Sequence, residues 1–256
     1  MNKQSIHITI LGSGTCVPSL KRSASSVLLE IENNKILIDS GPGTTQRLLE
    51  AGISINQLTH IFYSHFHPDH ISELITILFS SKYSGLTRQK SLHITAGTGF
   101  LDFYNRLKSA FGHWIDLDTL ILDEMSIITG DHRTFDGFNV DTMPTNHNPE
   151  SLAYRFTSIA GASVVYSGDT DECQELIQIA RNADILICES AMPDAQKVKG
   201  HLTPSLAGNI AHEAKVSQLI LTHFYPECDT VDIARQCRTI WSGPLWLAQD
   251  LMRLAV

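Results

Sequence analysis

Three histidines and one aspartate lie within six consecutive residues of the chain, His65 to His70, which read HFHPDH. Neutral imidazole nitrogens and carboxylate oxygens are the ligands that zinc and related divalent cations take at about 2 Å. If this segment is extended, residues 65, 67 and 69 project to one side and residue 70 to the other. The spacing therefore predicts ligands for two adjacent metal ions, an arrangement that activates water for hydrolysis.

The composition favours one compact domain that covers residues 1–256. The chain has 256 residues, of which 43% are hydrophobic, enough to bury a substantial core. Its net charge of -8 argues against an extended nucleic-acid surface, because proteins that bind many phosphates usually carry a basic stripe. Its five cysteines are scattered and include no CxxC pair, which argues against a disulfide framework and a zinc ribbon.

The chain shows neither a signal-peptide pattern nor a long apolar segment. No apolar run approaches the roughly 20 residues that a membrane-spanning helix needs. We therefore expect a cytoplasmic protein that does not contact a membrane.

Short strands alternate with helices along the chain, which is typical of an α/β fold. Alternating hydrophobicity predicts strands at Ile6 to Leu11, Ser26 to Ile31, Lys35 to Asp39, Thr59 to Ser64, Leu92 to Thr95, two or more within Met125 to Met143, Leu152 to Phe156, Ala162 to Ser167, Asp184 to Cys188, Gln218 to Thr222 and Leu245 to Leu247. Helical spacing predicts helices at Thr44 to Ala51, Ile71 to Lys82, Phe100 to Phe111, Glu172 to Ala183, Pro204 to Lys215 and Thr230 to Thr239. The Asp136-Gly137 pair predicts a tight hairpin turn.

A short internal similarity suggests that the chain has two related halves. THIFYSHFHPDH at residues 59–70 is similar to LILTHFYPECD at residues 219–229, and each is a strand followed by a His-Phe-x-Pro loop. Polar loops after strands are where α/β folds place ligands. We therefore expect two pseudo-repeat halves, roughly 1–135 and 136–256, with the metal site between their strand ends.

The HFHPDH segment resembles the HxHxDH signature of the metallo-β-lactamase superfamily. Further segments resemble its ribonuclease Z-like branch, in the same order along the chain: Gly12 to Thr15 with Pro18, Ile38 to Gly41 with Gly43-Thr44, Ser167 to Thr170, Gly200 to Pro204, and Thr222 to Phe224. The resemblance implies an αββα four-layer sandwich, in which two mixed β-sheets pack face to face between helices.

The same resemblance implies a complete set of ligands for two divalent metal ions, with zinc as the first choice and manganese or iron as alternatives. One ion would be bound by His65, His67 and His147, the other by Asp69, His70 and His223, and Asp169 would bridge them. His132 is the nearby alternative to His147, although it lies in a polar turn without the family's motif. Asp169 has a structural alternative as the N-cap of the following helix.

Two further residues are expected to act in catalysis beside Asp69. His201 lies in the Gly200 to Pro204 motif, and the resemblance places it near the scissile bond, where imidazole can protonate a leaving oxygen. Its alternative is to cap the next helix. Glu189, after a buried strand, could orient His201 through a hydrogen bond, and its alternative is an ordinary surface glutamate. For Asp39 we favour a supporting role, in which its side chain caps backbone amides next to the metal loop.

The resemblance implies a phosphodiesterase, and trimming of tRNA 3′ ends is the named activity of the branch's best-known members. Those enzymes insert a long tRNA-gripping arm between the ligands that match His147 and Asp169, whereas this chain has only 21 residues there. The missing arm and the negative charge favour a small phosphodiester, a nucleotide or an RNA end as substrate. The alternatives are an arylsulfatase or other ester hydrolase on the same site, and a non-catalytic metal-supported binding protein. The resemblance also suggests a homodimer.

Overall fold

The computed structural model describes residues 6–83, 88 and 90–256. In this part of the chain, two seven-stranded mixed sheets and their helices form an α/β sandwich, the architecture that the family resemblance implies. No helix among these residues is long and apolar enough to span a membrane.

The first sheet is built mainly from the N-terminal part of the chain. Its strands are β1 (His7–Gly12), β2 (Ser26–Ile31), β3 (Asn34–Ile38), β4 (His60–Tyr63), β5 (Leu92–Gly97), β6 (Leu120–Met125) and β14 (Met252–Ala255), in the order β14-β1-β2-β3-β4-β5-β6. The second sheet contains β7 (Asp131–Phe135), β8 (Phe138–Pro144), β9 (Leu152–Ser158), β10 (Ser163–Tyr166), β11 (Ile185–Glu189), β12 (Gln218–Thr222) and β13 (Leu245–Leu247), in the order β13-β12-β11-β10-β9-β8-β7.

Seven α-helices lie in the described part of the chain. They are α1 (Thr44–Glu50), α2 (Pro68–Ile71), α3 (Leu74–Tyr83), α4 (Phe100–Phe111), α5 (Gln174–Ala180), α6 (Pro204–Ala214) and α7 (Ile233–Cys237), with short 3-10 turns at Ile55–Gln57, Gly112–Ile115, Asp194–Gln196 and Pro226–Thr230.

The two faces of each strand bury different parts of the core, because successive side chains of a strand point to opposite sides. In β3, Ile36 and Ile38 belong to a cluster that contains residues of both sheets, whereas Leu37 belongs to a second cluster. This second cluster also contains Leu48 of α1 and Leu74 of α3. The alternation predicted from the sequence therefore produces the layers helix, sheet, sheet and helix.

Strand directions follow the same pattern in both sheets. From β14 to β3 and from β7 to β10, neighbouring strands are antiparallel, and from β3 to β6 and from β10 to β13 they are parallel. If the two sheets are aligned from their antiparallel ends, β14 and β7, the fifth strand is β4 in one sheet and β11 in the other. The sequence similarity instead pairs β4 with β12. The topology therefore does not support that short match. β7 and β14 also lie in the opposite sheet to the rest of their halves, and the division near residue 135 stays a prediction.

Most predicted elements are present to within about two residues at each end, and four of them differ more than that. The helix predicted at Ile71 to Lys82 is divided in two: Pro68 begins α2 inside the histidine cluster, α2 ends at Ile71, and α3 begins at Leu74. β6 begins at Leu120, before the predicted start of that strand region. The helices predicted at Glu172 to Ala183 and Thr230 to Thr239 shorten to α5 and α7. β14 was not predicted: it is a four-residue edge strand without a buried apolar run.

Candidate metal centre and hydrolytic site

The predicted site residues come together where strands of both sheets end. His65 and His67 follow β4, and Asp69 and His70 lie in α2 immediately after them. The others come from the second half of the chain: His147 follows β8, Asp169 follows β10, His201 precedes α6, and His223 follows β12. Loops from both sheets therefore contribute to one site.

The structure groups these side chains into adjacent clusters whose possible ligand atoms lie within 4.8 Å of one another. One cluster consists of His65, His67, His147 and Asp169; a second consists of Asp69, His70 and His223; a third consists of Asp169, His201 and His223. The first two match the sets that the family resemblance implies. The expectation that residue 69 shares a side with 65 and 67 is wrong, because α2 turns Asp69 toward His70 and His223.

Asp169 lies between the first two clusters, with one carboxylate oxygen facing each. Its Oδ2 is 3.6 Å from His65 Nε2 and 3.8 Å from His147 Nε2. Its Oδ1 is 3.3 Å from the Nε2 atoms of both His70 and His223. A carboxylate in this position can bridge two cations. Its alternative role as a helix cap is not what the structure shows, since Cys173 occupies the N-cap of α5.

Two buried atoms at the centre of the site have no hydrogen-bond partner in the described part of the chain, namely His65 Nε2 and Asp169 Oδ1. Buried polar atoms are normally paired, because leaving one unpaired costs about 1–3 kcal/mol. Burial also lowers the pKa of His65 well below its usual value, so this imidazole is neutral and has a lone pair to offer. The donor set and its unpaired atoms suit divalent metal ions.

Asp39 supports the HFHPDH segment and the residue before it, as its position after β3 suggested. Ser64 donates to it twice, from N to Oδ1 and from Oγ to Oδ2, each at 2.7 Å. His70 Nδ1 and the Tyr166 hydroxyl also donate to Oδ2, at 2.7 and 2.8 Å. With Nδ1 bonded to Asp39, Nε2 of His70 faces the site and lies 3.2 Å from His223 Nε2. Asp39 is buried and has a φ of 58°, a left-handed conformation that aspartate tolerates better than most residues.

A second strained backbone position lies at His223. This residue has a φ of 59°, and its Nε2 lies 3.6 Å from Asp69 Oδ2. Burial opposes ionisation of Asp69, but the nearby His223 and His70 imidazoles lower the pKa of Asp69 to about 2. Asp69 is therefore a carboxylate at neutral pH. Left-handed conformations of residues other than glycine cost on the order of 1–3 kcal/mol and tend to occur at functional sites.

His201 lies beside these clusters and is held by Glu189. His201 Nδ1 donates to Glu189 Oε1 at 3.0 Å, and Asp169 Oδ2 is 3.9 Å from the same nitrogen. Burial lowers the pKa of His201, but the Glu189 carboxylate outweighs it and the net shift is upward. Of the two alternatives for Glu189, the structure shows the pairing with His201 and not an exposed surface glutamate. Their catalytic roles stay predictions.

Comparison with known proteins identifies the family. The family model described as "Anti-Pycsar protein Apyc1" matches residues 6–238. The chain belongs to this family. It is also 30% identical to a ribonuclease Z of Mycobacterium sp. (strain KMS), over 98% of this chain and 96% of that protein. A ribonuclease Z of Thermobifida fusca is 26% identical, over 97% of this chain and 94% of that protein.

Solved structures share the fold over nearly the whole chain. The metallo-β-lactamase fold protein YhfI from Bacillus subtilis has a TM-score of 0.85 at 22% identity and covers 99% of this chain and 100% of its own. The short form of human tRNase Z has a TM-score of 0.81 at 24% identity and covers 97% of this chain and 98% of its own. Together, the relatives and the site place the chain in the ribonuclease Z-like part of the metallo-β-lactamase superfamily, as a metal-dependent hydrolase.

His132, the alternative to His147, lies away from the clusters. Its side chain is on β7, is 57% exposed, and pairs through Nδ1 with Asp141 Oδ1 at 2.7 Å. His147, by contrast, donates from Nδ1 to the Gly200 carbonyl at 2.8 Å, which leaves Nε2 facing His67 Nδ1 at 3.2 Å.

Sequence reasoning missed three side chains that border the site. Tyr166 donates to Asp39, Asn148 contacts His67, and the Tyr225 ring lies 6.4 and 6.2 Å from the rings of His201 and His223. Asn148 and Tyr225 lie one and two residues after a predicted ligand. Their position next to a predicted ligand was therefore the sequence signal for these two residues. Tyr166 gives no such signal, because in the sequence it is indistinguishable from other buried strand residues.

Proposed function

We propose that the chain is a phosphodiesterase that hydrolyses a small phosphodiester, a nucleotide or an RNA end at a centre of two divalent metal ions, with zinc as the first choice and manganese or iron as alternatives. The observation that carries this proposal is the position of Asp169, whose two oxygens face two different clusters of imidazoles. When bound, two such ions supply Lewis acidity that lowers the pKa of water and neutralises charge on a phosphoryl oxygen. The ligands would be His65, His67, His147, Asp69, His70 and His223, with Asp169 between the ions.

The chain's own residues supply orientation and a proton. Glu189 accepts from His201 Nδ1, so His201 Nε2 is the nitrogen that would give a proton to the leaving oxygen. The raised pKa of His201 keeps more of the protonated form near neutral pH. Asp39 and the Gly200 carbonyl accept from the Nδ1 atoms of His70 and His147 and so orient both imidazoles.

The choice of a small substrate rests on the segment between His147 and Asp169. These 21 residues form β9, β10 and their connections, and so provide no arm that could extend toward a large RNA. The relatives named ribonuclease Z and tRNase Z make an RNA end a reasonable member of the substrate class. The net charge of -8 favours the smaller members.

The decisive experiment is a substrate panel with protein reconstituted with zinc, manganese or iron. The panel contains cyclic nucleotides, bis(p-nitrophenyl) phosphate, a tRNA precursor and p-nitrophenyl sulfate. We expect hydrolysis of the phosphodiesters, with small substrates preferred to the tRNA precursor. Preference for the sulfate would indicate an arylsulfatase instead, and tight binding without hydrolysis of any substrate would indicate a binding protein.

A matched pair of variants tests the metal centre within the same experiment. His67→Ala should lose metal and activity together, because it removes one predicted ligand. His132→Ala removes an exposed histidine outside the clusters and should retain both. A fully active His67→Ala protein without metal would refute the metallohydrolase proposal.

A further inference from the structure

Four histidines at the site have their ring orientation set in the same way. Nδ1 of each donates to an oxygen: Ser64 Oγ for His65, Asp39 for His70, Gly200 O for His147 and Glu189 for His201. Ser64 Oγ accepts from His65 because its own proton goes to Asp39. In the neutral form of each of these rings the bond places the proton on Nδ1 and leaves the lone pair on Nε2.

His67 has the opposite orientation. Its Nδ1 faces His147 Nε2 at 3.2 Å and is therefore the nitrogen that points into the first cluster. Its Nε2 points away and lies 3.0 Å from Nδ2 of Asn148. A histidine that binds metal through Nδ1 must carry its proton on Nε2, and that N–H then requires an acceptor.

From this geometry we infer that Asn148 is a positioning residue, which accepts a hydrogen bond from His67 Nε2 through its amide oxygen and so fixes the tautomer that binds metal. A half-turn of the carboxamide exchanges its oxygen and nitrogen without moving the rest of the side chain. With Oδ1 turned toward Nε2, the proton stays on Nε2 and the Nδ1 lone pair faces the cluster. The inference rests on the metal centre of the proposed function and adds a determinant of its affinity.

The backbone around Asn148 is fixed well enough for this role. Asn148 N donates to Ser151 Oγ at 3.1 Å, and Ser151 N donates back to Asn148 O at 3.0 Å. Ser151 is buried, and its carbonyl also accepts from Thr145 N at 3.0 Å. The loop that carries His147 therefore also holds the Asn148 side chain against His67, so one loop contributes a predicted ligand and orients another.

Three variants test the inference by metal affinity, measured by competition with a chelator, rather than by activity alone. Asn148→Ala removes the acceptor and should weaken one of two metal-binding steps by about 10- to 100-fold, the usual effect of losing such a partner. Asn148→Asp presents oxygen in either orientation and should retain the wild-type affinity or exceed it. Asn146→Ala is the matched control, because this exposed amide is in the same loop and its side chain contacts the Glu172 carbonyl instead.

A ¹⁵N spectrum of the metal-loaded wild type should also show a protonated Nε2 on His67. If Asn148→Ala binds both metals as tightly as Asn146→Ala, or if Asn148→Asp loses metal as Asn148→Ala does, the inference is wrong while the proposed function stands. Wild-type protein that binds no metal would refute both.

Discussion

Asp39 and Glu189 are both buried carboxylates, and each accepts four hydrogen bonds, but they hold different parts of the site. Asp39 follows β3 in the first sheet and binds mostly side chains: Ser64 Oγ, His70 Nδ1 and the Tyr166 hydroxyl, together with Ser64 N. Three of these four groups belong to Ser64 and His70, which lie immediately before and within the HFHPDH segment. Asp39 therefore acts on the orientation of predicted metal ligands.

Glu189 ends β11 in the second sheet and binds mostly backbone. It accepts from the amides of Thr170, Ala191 and Leu202, and from the side chain of His201. Thr170 follows Asp169, and Leu202 follows His201, so Glu189 ties the loops of both residues to its own strand. The two carboxylates therefore differ in what they orient: Asp39 orients a predicted metal ligand, whereas Glu189 fixes the position of His201 and raises its pKa.

The largest expected effect is that of Asp39→Ala. It leaves the His70 Nδ1, Ser64 Oγ and Tyr166 donors buried without their acceptor, and we expect a loss of about 3–5 kcal/mol in the free energy of unfolding. Metal affinity should fall as well, by about 10- to 100-fold. Denaturant unfolding and metal titration measure the two effects.

Asp39→Asn is the milder partner of that variant. Asparagine tolerates the φ of 58° and keeps one acceptor oxygen. The losses of unfolding free energy and metal affinity should therefore be smaller than in Asp39→Ala. If Asp39→Ala is as stable as the wild type and binds metal equally well, the role assigned to Asp39 is wrong.

The second-largest effect is expected from His201→Ala, which removes the side chain that Glu189 holds. We expect kcat to fall by about 10²- to 10⁴-fold, the usual contribution of a general acid, with metal content unchanged. The side chain is 15% exposed, so its removal need not leave a closed cavity. Turnover and metal analysis of the same sample check this, and parallel losses of metal and activity would contradict the assignment.

A smaller and more specific effect is expected from Glu189→Gln on the pH profile. The Glu189 carboxylate raises the pKa of His201, so its neutralisation should lower that pKa. The general acid must be protonated, and activity therefore falls as pH rises through the pKa of His201. In Glu189→Gln this fall should begin at lower pH.

The side-chain NH2 group of Glu189→Gln can also face backbone N–H groups, which it cannot accept from. The overall turnover of this variant is therefore a poor measure of the contact between residue 189 and His201. The shift of the alkaline limb should disappear when Glu189→Gln is added to His201→Ala, because the titrating group is then absent. A shift that persists in the double variant would assign the alkaline limb to another group.

The sequence predicted the site better than it predicted what supports it. HFHPDH contains four possible metal ligands within six residues. The spacing and the ligand preferences of metal ions were therefore enough to predict a metal site there. His147, Asp169 and His223 are far apart in the chain. Local spacing therefore could not group them, and only the family resemblance predicted that they share one site. Local spacing also placed Asp69 with the wrong partners, because it could not predict that Pro68 starts a helix within the motif.

The parts that the sequence did not predict depend on contacts between distant segments. β14 has only four residues and alternates between intermediate and exposed positions, and it is a strand because β1 offers it a free edge. Asn148 is an ordinary polar loop residue until His67 lies against it. Tyr166 reads as a buried strand residue, and its hydroxyl gains a role only because β10 and the end of β3 meet across the two sheets.

The smallest expected effect, that of Tyr166→Phe, tests whether Asp39 needs all of its donors. Burial raises the pKa of Tyr166 well above its usual value, so its hydroxyl is a neutral donor to the carboxylate. A hydrogen bond to a charged group contributes about 1.5–3 kcal/mol, and we expect a destabilisation in that range. Metal affinity should fall by less than in Asp39→Ala, because Ser64 and His70 still hold the carboxylate.

Tyr154→Phe is the matched control, since its buried hydroxyl donates to the neutral carbonyl of Tyr63 at 2.7 Å and does not reach Asp39. That bond is worth about 0.5–1.5 kcal/mol, so Tyr154→Phe should cost less stability and leave metal affinity unchanged. Denaturant unfolding and chelator competition on the two variants separate a general loss of buried hydrogen bonding from a specific effect on the metal ligands. Equal changes in metal affinity in both would mean that Tyr166 contributes only to the core and that Asp39 is positioned by its first-sheet contacts alone.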